Sequence, residues 1–191
     1  MIVSLLATST LPTRFGSFML HVFADETGQE HMALAAEQPR TGCLVRLHSE
    51  CATGDILGSL RCDCRDQLEE SLRRIAQEGG LLIYLKGHEG RGIGLTNKIK
   101  AYALQEAGLD TIEANLHLGF PMDARDYKAA TAILTYFGID TLRLLTNNPL
   151  KVAALQEAGL IVEETVPLWT ALNPHNKAYI ETKKRAMGHG G

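Results

Sequence analysis

The sequence predicts an α/β fold, a mixed β-sheet with flanking helices, in which N-terminal antiparallel hairpins are followed by alternating helix-strand units. Two observations lead to this prediction. Over the first fifty residues, short runs suited to strands are separated by turn-forming segments. Beyond residue 65, amphipathic helical patterns that end at glycine alternate with short, wholly apolar runs. This alternation is typical of helices packed against a sheet.

The N-terminal strands are predicted at residues 15–25, 30–37 and 42–50, with turns at ETGQ and QPRT between them. The third strand presents two alternating sets of side chains, so its ionisable groups share one face. That face is either a solvated outer surface or part of a functional site that leads directly into Cys51. The ionisable set is Arg46, His48 and Glu50, and it alternates with Val45, Leu47 and Ser49.

The second part of the chain alternates between helices and strands. The helix DQLEESLRRIAQEGG places Leu68, Leu72 and Ile75 at helical spacing and ends at glycines. The run LLIYL that follows has the length and composition of a buried strand. In chain order, helices are predicted at 66–80, 95–108, 124–138 and 149–160, and strands at 81–85 and 141–145.

Length and composition limit the class of protein. With 191 residues, 45% of them hydrophobic, the chain is predicted to form a single domain over 1–191. Its parts are a β-rich segment of about 1–64, an α/β segment of about 65–170 and a tail of about 171–191. The net charge of −3 lacks the basic excess of a nucleic-acid-binding surface. The first residues lack the basic region of a secretory signal, and no apolar run reaches the roughly 18 residues that span a membrane, so we expect a cytoplasmic protein.

Clustered cysteines point to a metal site. In a reducing compartment, Cys51, Cys62 and Cys64 indicate metal binding or catalysis more than disulfides. If SLRCDC is extended, Cys62 and Cys64 share a face, and the turn residues TGD let Cys51 return to them. Three thiolates suit zinc. A catalytic zinc keeps its fourth position open, whereas a structural one would be closed by another ligand, for which Cys43 is the candidate.

Three further segments combine polar residues with turn chemistry. GHEGRGIGL, residues 87–95, is either a flexible loop or a glycine-rich loop that approaches a ligand, with Glu89 and Arg91 suited to a purine edge and a phosphate. In PMDARDY, Asp123 is either a helix N-cap or a functional carboxylate. In LLTNNPLK, Thr146 and Lys151 either bind phosphate or cap a helix.

Together these motifs resemble the GTP cyclohydrolase II family of riboflavin biosynthesis. The similarity runs from about residue 10 to residue 188 and includes the Cys-x10-Cys-x-Cys pattern within its flanking residues. It departs slightly at His88, where glutamine is common, and at Thr96, where an apolar residue is common. The motifs, in chain order, are RLHSECATGD, LRCDCRDQL, HEGRGIGL, KAYALQEAGLDT, MDARDY and LLTNNPLK.

The resemblance implies hydrolysis of GTP with release of formate and diphosphate. It implies one zinc per chain on Cys51, Cys62 and Cys64, magnesium with the triphosphate, and a homodimer. Asp123 matches a proton acceptor, Arg125 a nucleophile and Tyr102 a catalytic tyrosine. The implied GTP contacts are Arg46, Leu47, His48, Ser49, Glu50, Gln67, Glu89, Gly90, Arg91, Thr111, Thr146 and Lys151.

The chemistry of these residue types leaves one role open and two rival functions. A guanidinium with a pKa above about 12 is a poor nucleophile, so Arg125 is alternatively a group that stabilises phosphate charge. One rival function is an enzyme of the same fold that stops at a formamide or retains the triphosphate. The other is a non-catalytic nucleotide-binding protein with a zinc site closed by Cys43.

Overall fold

The computed structural model describes residues 1–121, 123–171 and 173–176. Within these ranges, no helix is long and apolar enough to cross a membrane. The strands are β1 (Val3–Thr13), β2 (Gly16–Asp25), β3 (Glu30–Ala35), β4 (Leu44–Ser49), β5 (Leu81–Leu85), β6 (Thr141–Leu145) and β7 (Ile161–Val166); the helices are α1 (Cys64–Glu78), α2 (Gly94–Glu106), α3 (Thr111–His117), α4 (Lys128–Tyr136) and α5 (Pro149–Glu157).

The strands form one mixed sheet in the order β1-β2-β3-β5-β4-β6-β7. The antiparallel hairpins β1-β2 and β2-β3 confirm the predicted N-terminal architecture, and β3 joins the rest of the sheet by pairing antiparallel with β5. Strand β1 was not predicted, because most of its side chains are exposed and its sequence shows no alternation of apolar and polar residues.

The prediction that residues 42–50 continue the antiparallel series was wrong. Strand β4 pairs parallel with β5 on one side and with β6 on the other. The chain leaves β4, passes through α1 and returns as β5, and a helical crossover of this kind joins parallel strands. Five of the six residues of β4 are buried, as expected for a central strand covered on both faces.

The sheet separates two apolar cores. On one face, Val45 and Leu47 pack with Ile133 of α4 and Leu155 of α5. On the other face, apolar side chains of β2, β3, β5 and β6 pack around Ile75 of α1. The alternation along β4 therefore has the predicted two faces, but the Arg46 and His48 face is not solvated: these residues are 4% and 2% exposed.

Several element boundaries differ from the prediction. Helix α4 begins at Lys128 rather than at residue 124, because the preceding segment is held by tertiary contacts, among them a hydrogen bond from the Ala124 amide to the Arg91 carbonyl at 3.0 Å. Helix α3 and strand β7 were not predicted. Of the predicted tail at about 171–191, residues 172 and 177–191 lie outside the described residues.

Candidate active site

The candidate site lies where the carboxyl ends of β4, β5 and β6 meet. Ligands of open α/β sheets bind at this edge, beside the point where successive strands are added on opposite sides. Strand β4 is such a point, because β5 flanks it on one side and β6 on the other. The segments that follow these three strands include Glu50–Cys51, Gly87–Arg91 and Thr146–Lys151, which brings distant predicted motifs to one edge.

A cleft with a cavity volume of about 100 Å³ opens at this edge. Its described lining includes a mixture of thiols, charged groups and one phenol. A second groove of about 470 Å³ lies between the segment around Asp123 and Arg125 and helix α5. Arg125 lines both. The predicted residues that line the cleft are Ser49, Glu50, Cys51, Cys62, Cys64, Gly90, Arg91, Tyr102 and Arg125.

Cys51, Cys62 and Cys64, here termed the thiol cluster, lie together, with their sulfur atoms all within 4.8 Å of one another. The route by which they meet differs from the prediction. Cys62 lies in a loop and Cys64 is the first residue of α1, so SLRCDC is not an extended strand. Cys51 precedes a single π-helical turn at Ala52–Ile56, which replaces the predicted TGD turn and folds back over the sulfurs.

The geometry of the thiol cluster fits a zinc ion. Two sulfurs bound to tetrahedral zinc at about 2.3 Å are about 3.8 Å apart, and Sγ of Cys51 lies 3.7 Å from Sγ of Cys62. The backbone at Gly54 passes directly over the cluster: a Cβ there would lie 2.9 Å from the Cys62 sulfur and 3.2 Å from that of Cys51. The donors, their spacing and their enclosure therefore match a three-thiolate site.

Cys43 does not belong to this cluster. It precedes β4, whereas Cys51 follows the other end of that strand, and the six residues of the strand alone, at about 3.3 Å each, span about 20 Å. Cys43 instead packs partly against the core between the sheet and α4. The alternative in which Cys43 closes the metal site was wrong, because the extended strand β4 keeps Cys43 and Cys51 at its opposite ends.

The ionisation of the thiol cluster also favours a bound cation. Hydrogen bonds from Cys62 and Cys64 lower the pKa of Cys51 strongly. The same interaction with Cys51 raises the pKa of Cys62 to about 11, and hydrogen bonding to Cys51 and Cys62 raises the pKa of Cys64. Only one of three thiols at this spacing ionises readily without a cation, and a dication would allow all three to ionise.

Lys98 and Glu89 lie against the thiol cluster. The Lys98 ammonium Nζ donates to Sγ of Cys51 at 3.1 Å and to Oε1 of Glu89 at 2.6 Å. The other Glu89 oxygen accepts from the Ala52 amide at 2.6 Å. Burial would lower the pKa of Lys98, but the Cys51 and Glu89 partners raise it overall, so the side chain is charged. Glu89 is 6% exposed and does not line the cleft.

Asp55 organises the loop that carries Cys51. Its carboxylate accepts from the Cys51 amide at 3.0 Å and from the Tyr84 hydroxyl at 2.8 Å. Its other oxygen lies 3.1 Å from Nε2 of His48, whose ring stacks on Tyr84 with centroids 5.4 Å apart. Burial lowers the pKa of His48, so the neutral ring donates to Asp55. These contacts give His48 a structural partner beneath the thiol cluster.

Arg125 is held by a bidentate pair of hydrogen bonds to the Asp123 carboxylate. Oδ1 of Asp123 accepts from Arg125 Nε at 2.8 Å and Oδ2 accepts from a terminal nitrogen at 2.5 Å. The other terminal nitrogen donates to Oγ of Ser49 at 3.3 Å, and Ser49 Oγ also lies 3.1 Å from Nδ1 of His88. Burial would raise the pKa of Asp123, but the Arg125 hydrogen bonds lower it overall. Asp123 is thus an ionised partner of Arg125 and not a helix N-cap.

The glycine-rich segment is an ordered 3-10 turn at Glu89–Arg91. Both terminal nitrogens of Arg91 are buried, and no described residue accepts a hydrogen bond from them. Arg91 has a φ of 66°, and an added Cβ at Gly92 would lie 3.2 Å from the carbonyl of Ala124. The loop therefore needs glycine for close packing against the Asp123 segment, and Arg91 lies at the wall of the cleft.

The remaining predicted residues lie behind the cleft. The Arg46 guanidinium donates to the Leu145 carbonyl at 2.9 Å and to Gln67 at 2.7 Å. The Lys151 ammonium donates to the Leu47 carbonyl at 2.6 Å. Asn148, not Lys151, caps α5. Thr111 is the first residue of α3, but its side chain lies outside the described part of the structure. The predicted residues absent from the cleft lining are Arg46, Leu47, His48, Gln67, Glu89, Asp123, Thr146 and Lys151.

Two residues of the site were not singled out from the sequence. Lys98, Ala101 and Tyr102 all line the cleft. Residues three and four positions apart share one face of a helix, so the helical spacing from Tyr102 could have placed Lys98 on the inner face of α2. Asp55 stands in the segment TGD and was interpreted only as a turn residue. Nothing in the sequence indicates that its carboxylate meets Tyr84, because that contact joins β5 to the loop after β4.

Comparison with known proteins places this geometry in a family. The family model for GTP cyclohydrolase II matches residues 5–167. The GTP cyclohydrolase-2 of Azotobacter vinelandii is 56% identical over 193 residues, which cover 99% of this chain and 92% of the relative. That of Pseudomonas aeruginosa is 54% identical, covering 99% and 94%, and that of Pseudomonas putida is 53% identical, covering 98% and 93%.

A solved structure of a two-domain 3,4-dihydroxy-2-butanone 4-phosphate synthase from A. baumannii also aligns with the chain. The alignment covers 90% of this chain and 41% of the synthase chain, with a TM-score of 0.47 and 20% identity. This similarity is too low to bear on the fold. The family model and the relatives, by contrast, extend over nearly the whole chain and include every segment of the cleft. The chain therefore belongs to the GTP cyclohydrolase II family of enzymes.

Proposed function

We propose that this protein catalyses zinc-dependent hydrolysis of GTP, with release of formate and diphosphate, to give 2,5-diamino-6-(5-phosphoribosylamino)pyrimidin-4(3H)-one, the first step of riboflavin biosynthesis. One observation carries the proposal. The thiol cluster and the Arg125 guanidinium line the same cleft, and Ser49 lies between them, next to Glu50 and Cys51 in the chain and bonded to Arg125. Two reaction centres of one extended substrate can thus be served from one cleft.

The thiol cluster is assigned to the base end of GTP. Cys51, Cys62 and Cys64 would hold the zinc, and when bound it supplies Lewis acidity for hydrolytic opening of the imidazole ring at C8. Tyr102 of α2 lines the cleft beside the cysteines, and its phenol is assigned to proton transfer there. The Arg61 guanidinium lies 4.7 Å from the centre of the Tyr102 ring, which fixes the position of that ring.

Arg125 is assigned to the phosphate end, where magnesium accompanies the triphosphate. The Arg125 guanidinium donates from Nε and one terminal nitrogen to Asp123 and from the other terminal nitrogen to Ser49. These hydrogen bonds orient a permanently charged group. This arrangement supports electrostatic stabilisation of phosphate charge over covalent attack by Arg125. Asp123 then acts first as the group that positions Arg125, and accepts a proton only when Arg125 turns to the phosphates. Arg91 supplies a second cation.

Among the residues behind the cleft, Arg46 and Lys151 are assigned electrostatic support of GTP binding. Burial lowers the pKa of Arg46 to about 10, which leaves the guanidinium charged at neutral pH. Arg46 and Lys151 therefore place two positive charges beneath the edge at which the triphosphate would lie. We further propose that the chain works as a single domain, as a homodimer and in the cytoplasm.

The test is incubation of the purified protein with GTP and magnesium, followed by separate assays of formate and diphosphate. Release of both supports the proposed reaction. Formamide products or a retained triphosphate would identify the enzyme with altered products. GTP binding without either product would identify the non-catalytic alternative, although the Asp123, Arg125 and Tyr102 set has no evident use in a protein that only binds.

A further inference from the structure

Lys98 contacts the thiol cluster directly, although neither the motifs nor the family resemblance assigned it a role. Its ammonium lies 3.1 Å from Sγ of Cys51, 2.7 Å from Oγ1 of Thr53 and 2.6 Å from Oε1 of Glu89. The side chain is 9% exposed. An ammonium has three N–H donors, and here each has an acceptor. Lys98 is therefore held in one position against the sulfur.

Glu89 makes this position possible. Its Oε1 accepts from Lys98, and its Oε2 accepts from the amide of Ala52, the first residue of the turn that follows Cys51. A charged lysine buried beside thiols requires a partner of opposite charge, because an unpaired buried ion is strongly destabilising. The Lys98–Glu89 pair thus connects α2 and the 3-10 turn to the metal-binding loop. It is too buried and too fully paired to be a surface salt bridge.

A cation beside one sulfur has a consequence for the metal that the sulfur would hold. Three thiolates give a zinc ion a net charge of −1 and donate electron density that weakens its Lewis acidity. Hydrogen bonds to metal ligands tune this donation. We propose that Lys98 is a positioning residue which, through its hydrogen bond to the Cys51 sulfur, preserves the electrophilic character of a metal held by the thiol cluster. The inference rests on the metal site proposed above.

The test replaces zinc with cobalt, whose sulfur-to-metal charge-transfer band reports directly on thiolate donation. Lys98→Met keeps the length and removes the charge and the donor, and should move this band to longer wavelength. Lys98→Arg, which retains a cation, should stay closer to wild type. Lys100→Met on the exposed face of the same helix is the matched control and should leave the band unchanged. With zinc, Lys98→Met should lower kcat by about 10–100-fold with little change in KM.

Three outcomes are decisive. A cobalt band in Lys98→Met at the wild-type position overturns the inference and leaves the metal site standing. Failure of the wild type to bind cobalt or zinc overturns the metal site and the inference with it. If Lys98→Met does not fold because Glu89 is left unpaired, the double variant Lys98→Met with Glu89→Gln removes both buried charges. It should show the same shift to longer wavelength, and an unshifted band there would also overturn the role of Lys98.

Discussion

Gly54→Ala tests the enclosure of the thiol cluster with the smallest possible change. The backbone of Gly54 is not left-handed, so alanine adds one methyl group without backbone strain. That methyl would lie 2.9 Å from Sγ of Cys62, 3.0 Å from Cβ of Cys64 and 3.2 Å from Sγ of Cys51. Contacts below 3.0 Å require the sulfurs to move, and a bound metal prevents them from moving freely.

The expected magnitude follows from two opposing effects. Overpacking costs about 1–3 kcal/mol, whereas replacing glycine stabilises a chain by about 0.4–1 kcal/mol through the unfolded state. The stabilisation through the unfolded state is the same with and without metal. The overpacking cost, by contrast, is largest when a bound metal fixes the three sulfurs. Zinc affinity should therefore fall by about 5–150-fold, since 1.4 kcal/mol corresponds to about tenfold, while the metal-free protein melts within a few degrees of wild type.

The assay is a competitive zinc titration with a chelator, together with thermal melts of both forms. Gly28→Ala is the control: an added Cβ there meets nothing within 4 Å, but its φ of +83° strains the backbone. This variant should lose about 1–2 kcal/mol of stability and keep its zinc affinity. Wild-type zinc affinity in Gly54→Ala would refute the close approach of the loop to the sulfurs.

Three further predictions concern the cysteines, Arg125 and His88. Cys43→Ser should keep about one zinc per chain by metal analysis, and loss of zinc in this variant would contradict the site described. Cys62→Ser should lose both zinc, by the same analysis, and formate release, by product assay. Arg125→Lys should retain measurable diphosphate release and Arg125→Ala should lose it, whereas a trapped guanylyl adduct on Arg125 would show a covalent role. Burial and the charges of Arg125 and Lys151 lower the pKa of His88 to about 4, so the unfolded chain takes up this proton first. His88 therefore contributes stability that is complete above pH 6.5 and falls by about 2 kcal/mol by pH 5. His88→Gln should lose less stability than wild type between pH 7 and 5 in denaturant titrations, and equal losses would show that His88 does not titrate as described.

Local sequence was sufficient for elements whose pattern is set by neighbouring residues. Helix α1, helix α5 and strands β5 and β6 lie close to their predicted positions, because glycine stops, apolar spacing and a proline start act within a few residues. The three cysteines were identified by spacing and residue type. In these cases the physical cause of the structure is local, so the sequence itself determines it.

The tertiary structure alone decided the features that join distant segments. The parallel pairing of β4, the helical start at Cys64 and the late start of α4 at Lys128 each depend on partners elsewhere in the chain. The same is true of the site. Strand β4 decides whether Cys43 joins the other thiols, because it holds Cys43 and Cys51 at opposite ends of one extended strand.

The environment of each charged group was equally beyond local pattern. Lys98, Asp55 and Glu89 contact the loop around Cys51 only because α2, the loop after β4 and the turn after β5 converge at one edge of the sheet. The sequence determined which chemical groups the protein has, and long-range packing determined which of them are buried, paired and charged. Burial and pairing depend on the whole fold, since the free energy of a charge is set by everything that surrounds it.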